Sequence, residues 1–324
     1  MHCARRALLT MTAAIPSVTP RTSWSQAAYP SRPIRIVVAW APTGAIDTVA
    51  RKLAQKLTEQ LGQSVFVENR SGAGGSIGAA EVARSPADGY TLLALDSTYG
   101  MMPFLVNRLP FNHAEAFQLV TITAFTPVIA AVHRDSPYTS LQELTEAARR
   151  QPEKITYGSG GVGSSVHFAT VAYELAAKAR LFHVPYRGGG EAVTALLAKQ
   201  VDVVFASPGA AMGSGATLLR PLAISGSGRL ASLSDVPTFA EAGMPGYDVM
   251  HWSGLAVPRG TPAPVLNRLY AEAAKALASP DMTKFLASIA CLPGGKPPAD
   301  AEKQLAEETV EWRQVVEAAG IRPQ

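Results

Sequence analysis

The stretch NRSGAGGSIGAAEVARSPADGY, residues 69–90, carries the residue types most able to do chemistry in this chain. It follows an apolar run, is rich in glycine and serine, and leads into a helix-like segment. Turns of this kind bind phosphates, present a serine nucleophile, or bind a carboxylate through free backbone N–H groups. Three similar turns occur elsewhere: APTGAID (41–47), YGSGGVGSSVH (157–167) and PYRGGGEA (185–192).

Alternating strand-like and helix-like segments must position these turns, and the alternation predicts an α/β protein. The run IRIVVAW (34–40) predicts a strand, and apolar residues recur at helical spacing from Ile46 to Leu61 after it. Strands predicted at 64–69 and 90–95 complete a βαβαβ unit with a parallel sheet. A second unit alternates in the same way, with strands predicted at 126–133, 154–159, 181–186, 201–207 and 221–225.

In open α/β sheets, ligands bind beyond the carboxyl ends of the strands, where all four turns fall. Glycine lets the backbone approach a ligand closely, and the first N–H groups of a helix point outward with partial positive charge. A hydrogen bond to a charged group contributes roughly 1.5–3 kcal/mol. Several of them around one carboxylate suffice for micromolar binding, about −8 kcal/mol. The four turns, divided between two units, therefore predict an anion-binding site.

The turn at 69–78 also fits a dinucleotide site in part. Such a site requires G-x-G-x-x-G after a strand and an acid about 20 residues later. Gly72, Gly74 and Asp96 fit this pattern, but Ile77 occupies the position of the third glycine.

A serine nucleophile is the other enzymatic alternative. It requires G-x-S-x-G at a sharp strand-to-helix corner, and the residues around Ser76 match that pattern. The turn is longer than such a corner, and no feature of the sequence places His167 or His251 beside Ser76 as a base. An exported serine-type hydrolase that uses Ser76 is therefore retained as the alternative function.

Charge favours an exported protein that binds a small molecule. Residues 1–28 have the features of an export signal: a basic start with Arg5 and Arg6, an apolar run and small residues before the end. Removing Arg5, Arg6 and Arg21 lowers Lys+Arg from 29 to 26 against Asp+Glu of 25, so the net charge falls from +4 to about +1. This balance argues against nucleic acid and anionic membranes as partners. The Arg5–Arg6 pair is compatible with twin-arginine export, but the Sec route is favoured.

Cysteine and histidine predict neither a disulfide nor a metal site. Cys3 lies in the signal, which leaves Cys291 as a lone residue that we expect to be buried. The histidines lack H-x-x-x-H spacing, and no pair of carboxylates has a spacing that indicates acid–base chemistry. We therefore expect no cofactor, no metal and no catalytic residue.

Taken together, these motifs resemble the Bug/TctC family, the periplasmic substrate-binding proteins of tripartite tricarboxylate transporters. The resemblance runs from about Tyr29 to the C-terminus and includes DVPTFAEAGMPGY (235–247). It implies an α/β, bilobed periplasmic-binding-protein fold (type II-like), with two α/β domains and a ligand cleft between them. It further implies that 29–128 plus 249–324 form domain 1 and that 129–248 form domain 2, after the export signal at 1–28.

The resemblance implies a solute-binding protein and not an enzyme. Such a protein captures a small carboxylate in the periplasm and docks, as a monomer, on integral membrane permease subunits. Family ligands are bound largely by backbone amides, hydroxyls and water. Matched position by position, the contacts fall in domain 1 at Ala41, Thr43, Gly44, Gly75, Ser76, Ser97 and Thr98, and in domain 2 at Ser159, Gly160, Gly163, Ser164, His167, Tyr186, Arg187, Gly188, Gly189 and Ser207.

The first loop departs from the family pattern P-P-G-G-x-x-D. Here it reads A-P-T-G-A-I-D over 41–47, so one glycine is missing, and Trp40 precedes the loop. Asp47 matches the aspartate of the family, and we expect it to organise the loop. Trp40 either packs at the strand end or stacks on the ligand, and stacking predicts a ring-bearing or longer carboxylate.

Overall fold

The computed structural model describes residues 29–42, 44–213, 215–321 and 323. The predicted export signal and Thr43 therefore lie outside the described residues. The described residues form two β-sheets. The strands are β1 Ile34–Val38, β2 Val65–Asn69, β3 Thr91–Asp96, β4 Phe117–Pro127, β5 Ile129–His133, β6 Thr156–Ser159, β7 Phe182–Pro185, β8 Val203–Ala206, β9 Leu219–Ile224, β10 Met250–Pro258 and β11 Leu292–Pro293.

Helices separate most of these strands. They are α1 Ala45–Leu61, α2 Ser76–Ala83, α3 Thr98–Leu105, α4 Leu141–Arg150, α5 Ser165–Ala177, α6 Gly189–Leu197, α7 Pro208–Ala211, α8 Ala263–Leu277, α9 Pro280–Ser288 and α10 Pro298–Ala319. Within the described part of the chain, no helix has both the length and the apolar character that crossing a membrane requires.

The first sheet has six strands in the order β11-β4-β10-β3-β1-β2. Strand β1 runs parallel to β2 and to β3, which confirms the predicted βαβαβ unit. The sheet as a whole is mixed, because β10 is antiparallel to both β3 and β4. We call this sheet and the helices α1–α3 and α8–α10 the first unit.

Strand β1 is apolar along its length because both faces of its sheet are covered. Ile36 and Val38 pack in a cluster with residues of α1 and α8, whereas Val37 contributes to the cluster on the opposite face with residues of α2 and α3. A strand buried on both faces shows a continuous apolar run instead of alternation. Helix α1 ends where predicted, with Gly62 in the left-handed conformation at φ 66°.

The second sheet has five strands in the order β7-β6-β8-β5-β9. Strand β6 runs parallel to β7 and β8, and β5 is antiparallel to β8 and β9. The predicted cap of α4 is present, since the Ser140 side chain accepts a hydrogen bond from the Glu143 N–H at 3.2 Å. We call this sheet and the helices α4–α7 the second unit.

The sequence predicted one strand at 126–133, and this prediction was wrong. Two strands meet there: β4 ends at Pro127 in the first sheet, and β5 begins at Ile129 in the second. The chain changes sheets at Val128, which is fully buried. The Ser225 hydroxyl accepts a hydrogen bond from the Val128 N–H at 2.8 Å, and the chain returns to the first sheet at Met250.

Candidate functional site

The glycine-rich turns lie where parallel strands end and helices begin. Helices α1 and α2 follow β1 and β2 in the first unit, and α5 and α6 follow β6 and β7 in the second. Their N-cap residues are Gly44, Gly75, Ser164 and Gly188. The first N–H groups of each helix carry partial positive charge. Both units therefore present backbone donors suited to an anion.

A buried acid organises the first loop. Asp47 is 2% exposed, accepts a hydrogen bond from the Asn69 amide at 2.8 Å and forms an ion pair with Arg51 at 2.9 Å. The same Asn69 amide also donates to the Trp40 carbonyl at 3.0 Å. Asp47 thus fixes the start of α1 against the end of β2, in the role that we expected. Ala41 and Gly44, two of the predicted contacts in this loop, are exposed.

The second turn of the first unit packs tightly on the end of β1. Gly75 has φ 88°, and a methyl group placed on it would lie 3.7 Å from the Trp40 ring. A methyl group on Gly78 would lie only 2.8 Å from the Arg70 carbonyl oxygen and 3.0 Å from the Cα of Ala39. Glycine is required at Gly78 because backbone approaches this closely.

A small hollow of about 10 Å³ lies between this turn and the end of β3. Its walls include Trp40, Gly75, Asp96, Thr98 and Tyr99, and all of its lining residues belong to the first unit. Asp96 lies at the end of β3, and its Oδ1 accepts hydrogen bonds from both the N–H and the hydroxyl of Thr98. Burial raises the pKa of Asp96 to about 6, and the Thr98 hydrogen bonds lower it in part.

The two hydroxyls that were predicted to bind ligand in this strand end already have protein partners. The Thr98 hydroxyl donates to Asp96. Ser97 is 2% exposed, and its Oγ lies 3.4 Å from Nδ1 of His251. Burial lowers the pKa of His251 to about 4, so the ring is neutral at pH 7.

Side chains of the second unit are used to build its own loop. Ser159 is fully buried, and its Oγ lies 2.6 Å from Nε2 of His183. The same hydroxyl oxygen accepts a hydrogen bond from the Gly161 N–H at 3.1 Å. The Ser164 side chain caps α5 by accepting from the His167 N–H at 3.2 Å. The Ser159 hydroxyl thus has two partners within the protein, whereas a hydroxyl that accepts one hydrogen bond can still donate its own O–H, so Ser164 can contact a ligand while it caps α5.

His167 has a similar role. Its Nδ1 accepts a hydrogen bond from the Gly163 N–H at 3.0 Å, and its ring stacks on His183 with centroids 4.2 Å apart. Burial lowers the pKa of His167 to about 4, with a further contribution from His183. Both rings line a separate cavity of about 530 Å³ together with Arg180. His167 therefore stabilises the conformation of the turn through its buried ring.

The two turns of the second unit meet each other. A methyl group on Gly160 would lie 3.1 Å from the backbone nitrogen of Gly189, and one on Gly161 would lie 3.2 Å from the Tyr186 carbonyl oxygen. Gly188 caps α6, and Arg187 is exposed. Ser207 lies apart from this pair of turns in the chain and caps the short helix α7 by accepting from the Ala210 N–H at 3.3 Å.

The two units also contact each other beside the turns. A methyl group on Gly163, where φ is 79°, would lie 2.9 Å from the side chain of Leu105 at the end of α3. Met101 of α3 and Phe168 of α5 pack in one buried cluster with Trp312 of α10. The start of α5 is therefore held against the helix whose first residue is Thr98.

The geometry does not support the serine nucleophile. Ser76 has ordinary helical angles, φ −66° and ψ −25°, instead of the strained conformation of a nucleophile elbow. The ring nitrogens of His167 and His251 bond Gly163 and Ser97. The dinucleotide alternative fits no better, because the hollow between the glycine turn and Asp96 has room for about one water-sized group and none for a ribose.

Two residues were missed as parts of the site. Asp96 had been considered only as the acid of a dinucleotide motif, and His183 only as one histidine among several. An acid at the carboxyl end of a parallel strand is a signal for Asp96 that the sequence does contain. No comparable signal exists for His183, because its role depends on a contact with Ser159, 24 positions away.

Comparison with known proteins places this geometry in a family. The family model for the tripartite tricarboxylate transporter family receptor matches residues 49–321. A relative from Pseudomonas sp. (strain P51), the UPF0065 protein in the tcbD-tcbE intergenic region, is 37% identical over 291 residues, which cover 89% of this chain and 87% of the relative.

Solved structures agree in fold. The structure of R. palustris Rpa4515 with adipate superimposes with a TM-score of 0.80 at 33% identity, and the match covers 91% of this chain and all of the other. The periplasmic binding protein BugD matches with a TM-score of 0.76 at 28% identity, over 91% of this chain and all of BugD. The fold is thus the bilobed α/β fold of periplasmic binding proteins. With its family match, its relative and its two-sheet architecture, the chain belongs to the tripartite tricarboxylate transporter receptor family.

Proposed function

We propose that this protein is a periplasmic solute-binding protein that captures a small carboxylate between its two units for a tripartite tricarboxylate-type transporter. The observation that carries the proposal is the placement of four helix starts, two in each unit, at the carboxyl ends of parallel strands. Adipate in the related R. palustris structure is a dicarboxylate, which is the class of ligand that such donors suit.

Backbone donors are well suited to generic recognition of a carboxylate. They are fixed by the fold, so they lose no side-chain entropy when the ligand binds. In the second unit, the hydroxyls of Ser159 and Ser164 hold the turn in shape, so that the first N–H groups of α5 and α6 can face the ligand. In the first unit, the starts of α1 and α2 supply the matching donors.

Capture requires the units to approach each other, because the hollow described above is lined by the first unit alone. We propose that residues 29–128 plus 249–324 move as one domain and residues 129–248 as the other, with Val128 and the chain before Met250 as the hinge. A ligand that contacts both domains only in the closed form shifts the population towards closure by its differential affinity.

The proposed partners follow from the family. The closed, loaded protein would dock as a monomer on integral membrane subunits of the transporter. Export through the Sec route would bring it to the periplasm. Light scattering in solution tests the monomer, and N-terminal sequencing of the secreted chain tests the cleavage near residue 28.

A thermal-shift screen tests the binding function directly. The exported chain is melted with dicarboxylates, aromatic acids and amino acids at rising concentration. Binding to the folded state alone raises Tm progressively with ligand concentration, and we expect at least one carboxylate to do so. If no carboxylate raises Tm while another class of solute does, the proposal is wrong.

An assay of ester hydrolysis with the same protein tests the alternative function, a serine-type hydrolase. A serine-type hydrolase would turn over activated esters, and Ser76→Ala would abolish that turnover. We expect no ester hydrolysis above the buffer rate from either protein. Turnover that is lost in Ser76→Ala would replace the binding function with the hydrolase.

A further inference from the structure

The small hollow of the first unit differs in chemistry from a carboxylate site. Its polar side chains are an acid and the hydroxyl that already bonds it, and Trp40 and Tyr99 supply aromatic walls. Tyr99 cannot offer its hydroxyl, because that group donates to the His113 carbonyl at 2.7 Å. A second carboxylate placed here would be repelled by Asp96.

The carboxylate of Asp96 is hydrogen-bonded within its own turn, by Thr98 and by its own backbone N–H. Oδ1 takes both hydrogen bonds from Thr98, and no hydrogen bond from another described residue reaches Oδ2. No Lys, Arg or His within the described part of the chain forms an ion pair with Asp96. Because its pKa stays near 6, the group is mainly ionised at pH 7. A partly buried carboxylate without a cation is a site for a positive ligand group.

The size of the hollow limits what that group can be. A volume of about 10 Å³ holds roughly one water-sized group, and an ammonium group has that size. Aromatic faces within about 6 Å attract a cation through their quadrupole, and the Trp40 ring borders the hollow next to Gly75. The acid, the aromatic walls and the volume of the hollow thus all suit an ammonium group.

We propose that Asp96 is a specificity-determining residue that binds the ammonium group of a carboxylate ligand, so that this receptor prefers amine-bearing carboxylates over plain dicarboxylates. The inference rests on the proposed carboxylate-binding function. The ammonium binds Asp96 in the first unit, and the carboxylate of the same molecule binds the helix starts.

Substitution with asparagine distinguishes a purely structural role of Asp96 from ammonium binding. Oδ1 helps to form the start of α3 by accepting from the Thr98 N–H. Asparagine retains that oxygen and the shape of the side chain, so Asp96→Asn keeps the hydrogen bond and removes the charge. Asp235→Asn is the matched control, because Asp235 is exposed in the second unit and the same charge is lost there.

The test uses pairs of ligands that differ in the amine. Calorimetry or thermal shift of the full exported chain compares 6-aminohexanoate with adipate, 4-aminobutanoate with succinate, and L-glutamate with glutarate. We expect the amine member of at least one pair to bind about tenfold more tightly to the wild type and to Asp235→Asn. In Asp96→Asn, we expect that preference to fall below about threefold.

The outcomes distinguish this inference from the function on which it rests. If Asp96→Asn retains the full preference, or if only the dicarboxylates bind the wild type, the ammonium site is overturned while the carboxylate receptor stands. If no member of any pair binds and no other carboxylate does, both are overturned. A melting temperature of Asp96→Asn within a few degrees of wild type verifies that the variant is folded.

Discussion

The two halves of the candidate site are built from similar sequence and work differently. In the first unit, Asp96 and Trp40 border a small hollow, and no cation among the described residues forms an ion pair with Asp96. In the second unit, Ser159, Ser164 and His167 each accept a hydrogen bond from the backbone of their own turn. A half that binds mainly through backbone donors can recognise any carboxylate, whereas a half with an acidic side chain that lacks a cation can select among them. The proposed ammonium site would therefore give affinity and selectivity to different units.

Low pH should destabilise the second unit, because its buried histidines must gain a proton. The pKa of His167 falls from 6.5 to about 4 on folding. A lowered pKa means that this group contributes stability fully above pH 6.5 and loses it as the pH falls towards 4. At about 1.36 kcal/mol per pKa unit, this loss is on the order of 2–3 kcal/mol by pH 4.5.

Chemical denaturation at pH 7 and pH 4.5 measures this loss. His167→Gln removes the titrating group, so its free energy of unfolding should fall less than that of wild type. The remaining slope includes His251, which acts with the same sign, and Asp96, whose raised pKa acts with the opposite sign. Tyr157 and His183 stack with the His167 ring, Glu153, Glu174 and Arg180 line the same cavity, and all five stay unchanged. Equal pH dependence in both proteins would contradict a neutral His167.

Adding a methyl group to a glycine near the turns should destabilise the first unit and not the second. Gly78→Ala brings a methyl group to 2.8 Å from the Arg70 carbonyl, so we expect a loss of about 1–3 kcal/mol of unfolding free energy from overpacking. Gly190→Ala is the matched change at the start of α6, where a methyl group meets no atom within 4 Å. That variant should be neutral or gain up to about 0.5–1 kcal/mol. Urea denaturation compares the two, and equal effects would refute the difference.

His183 should affect all carboxylates alike. His183→Ala leaves the Ser159 hydroxyl without its 2.6 Å partner, which costs roughly 1–3 kcal/mol of stability and loosens the turn. We expect affinity to fall by about threefold to tenfold for amine-bearing and plain carboxylates in equal proportion. Calorimetry on the paired ligands measures the ratio. A selective loss for one class would mean that the second unit also determines specificity.

Trp40 should have the smallest effect, and a selective one. Trp40→Ala removes an aromatic wall, and aromatic or cation–π contacts contribute about 0.5–1.5 kcal/mol. We expect a loss of about threefold to tenfold for ring-bearing or amine-bearing ligands, with recovery in Trp40→Phe. If both variants bind every ligand as the wild type does, Trp40 only packs at the end of β1.

Much of this architecture could be predicted from local pattern. The apolar run of β1 and the helical spacing of α1 follow directly from periodicity, and the cap at Ser140 is a feature of four adjacent residues. Periodicity alone predicted a single strand at 126–133, because β4 and β5 form one apolar run interrupted by a single residue, and the boundary at 128/129 came only from the family resemblance. Both strands are buried, and periodicity cannot distinguish one long buried strand from two that lie in different sheets.

The sequence by itself determined where the glycine turns, helix starts and strand ends would fall, because glycine, N-cap residues and strand ends act over a few adjacent positions. Only the tertiary structure decided which side chains stay free. The hydroxyl of Ser159 and the ring of His183 are 24 residues apart, and Trp40, which follows β1, borders one hollow with Asp96 at the end of β3. A side chain is consumed or left open by neighbours that the chain brings together only when it folds.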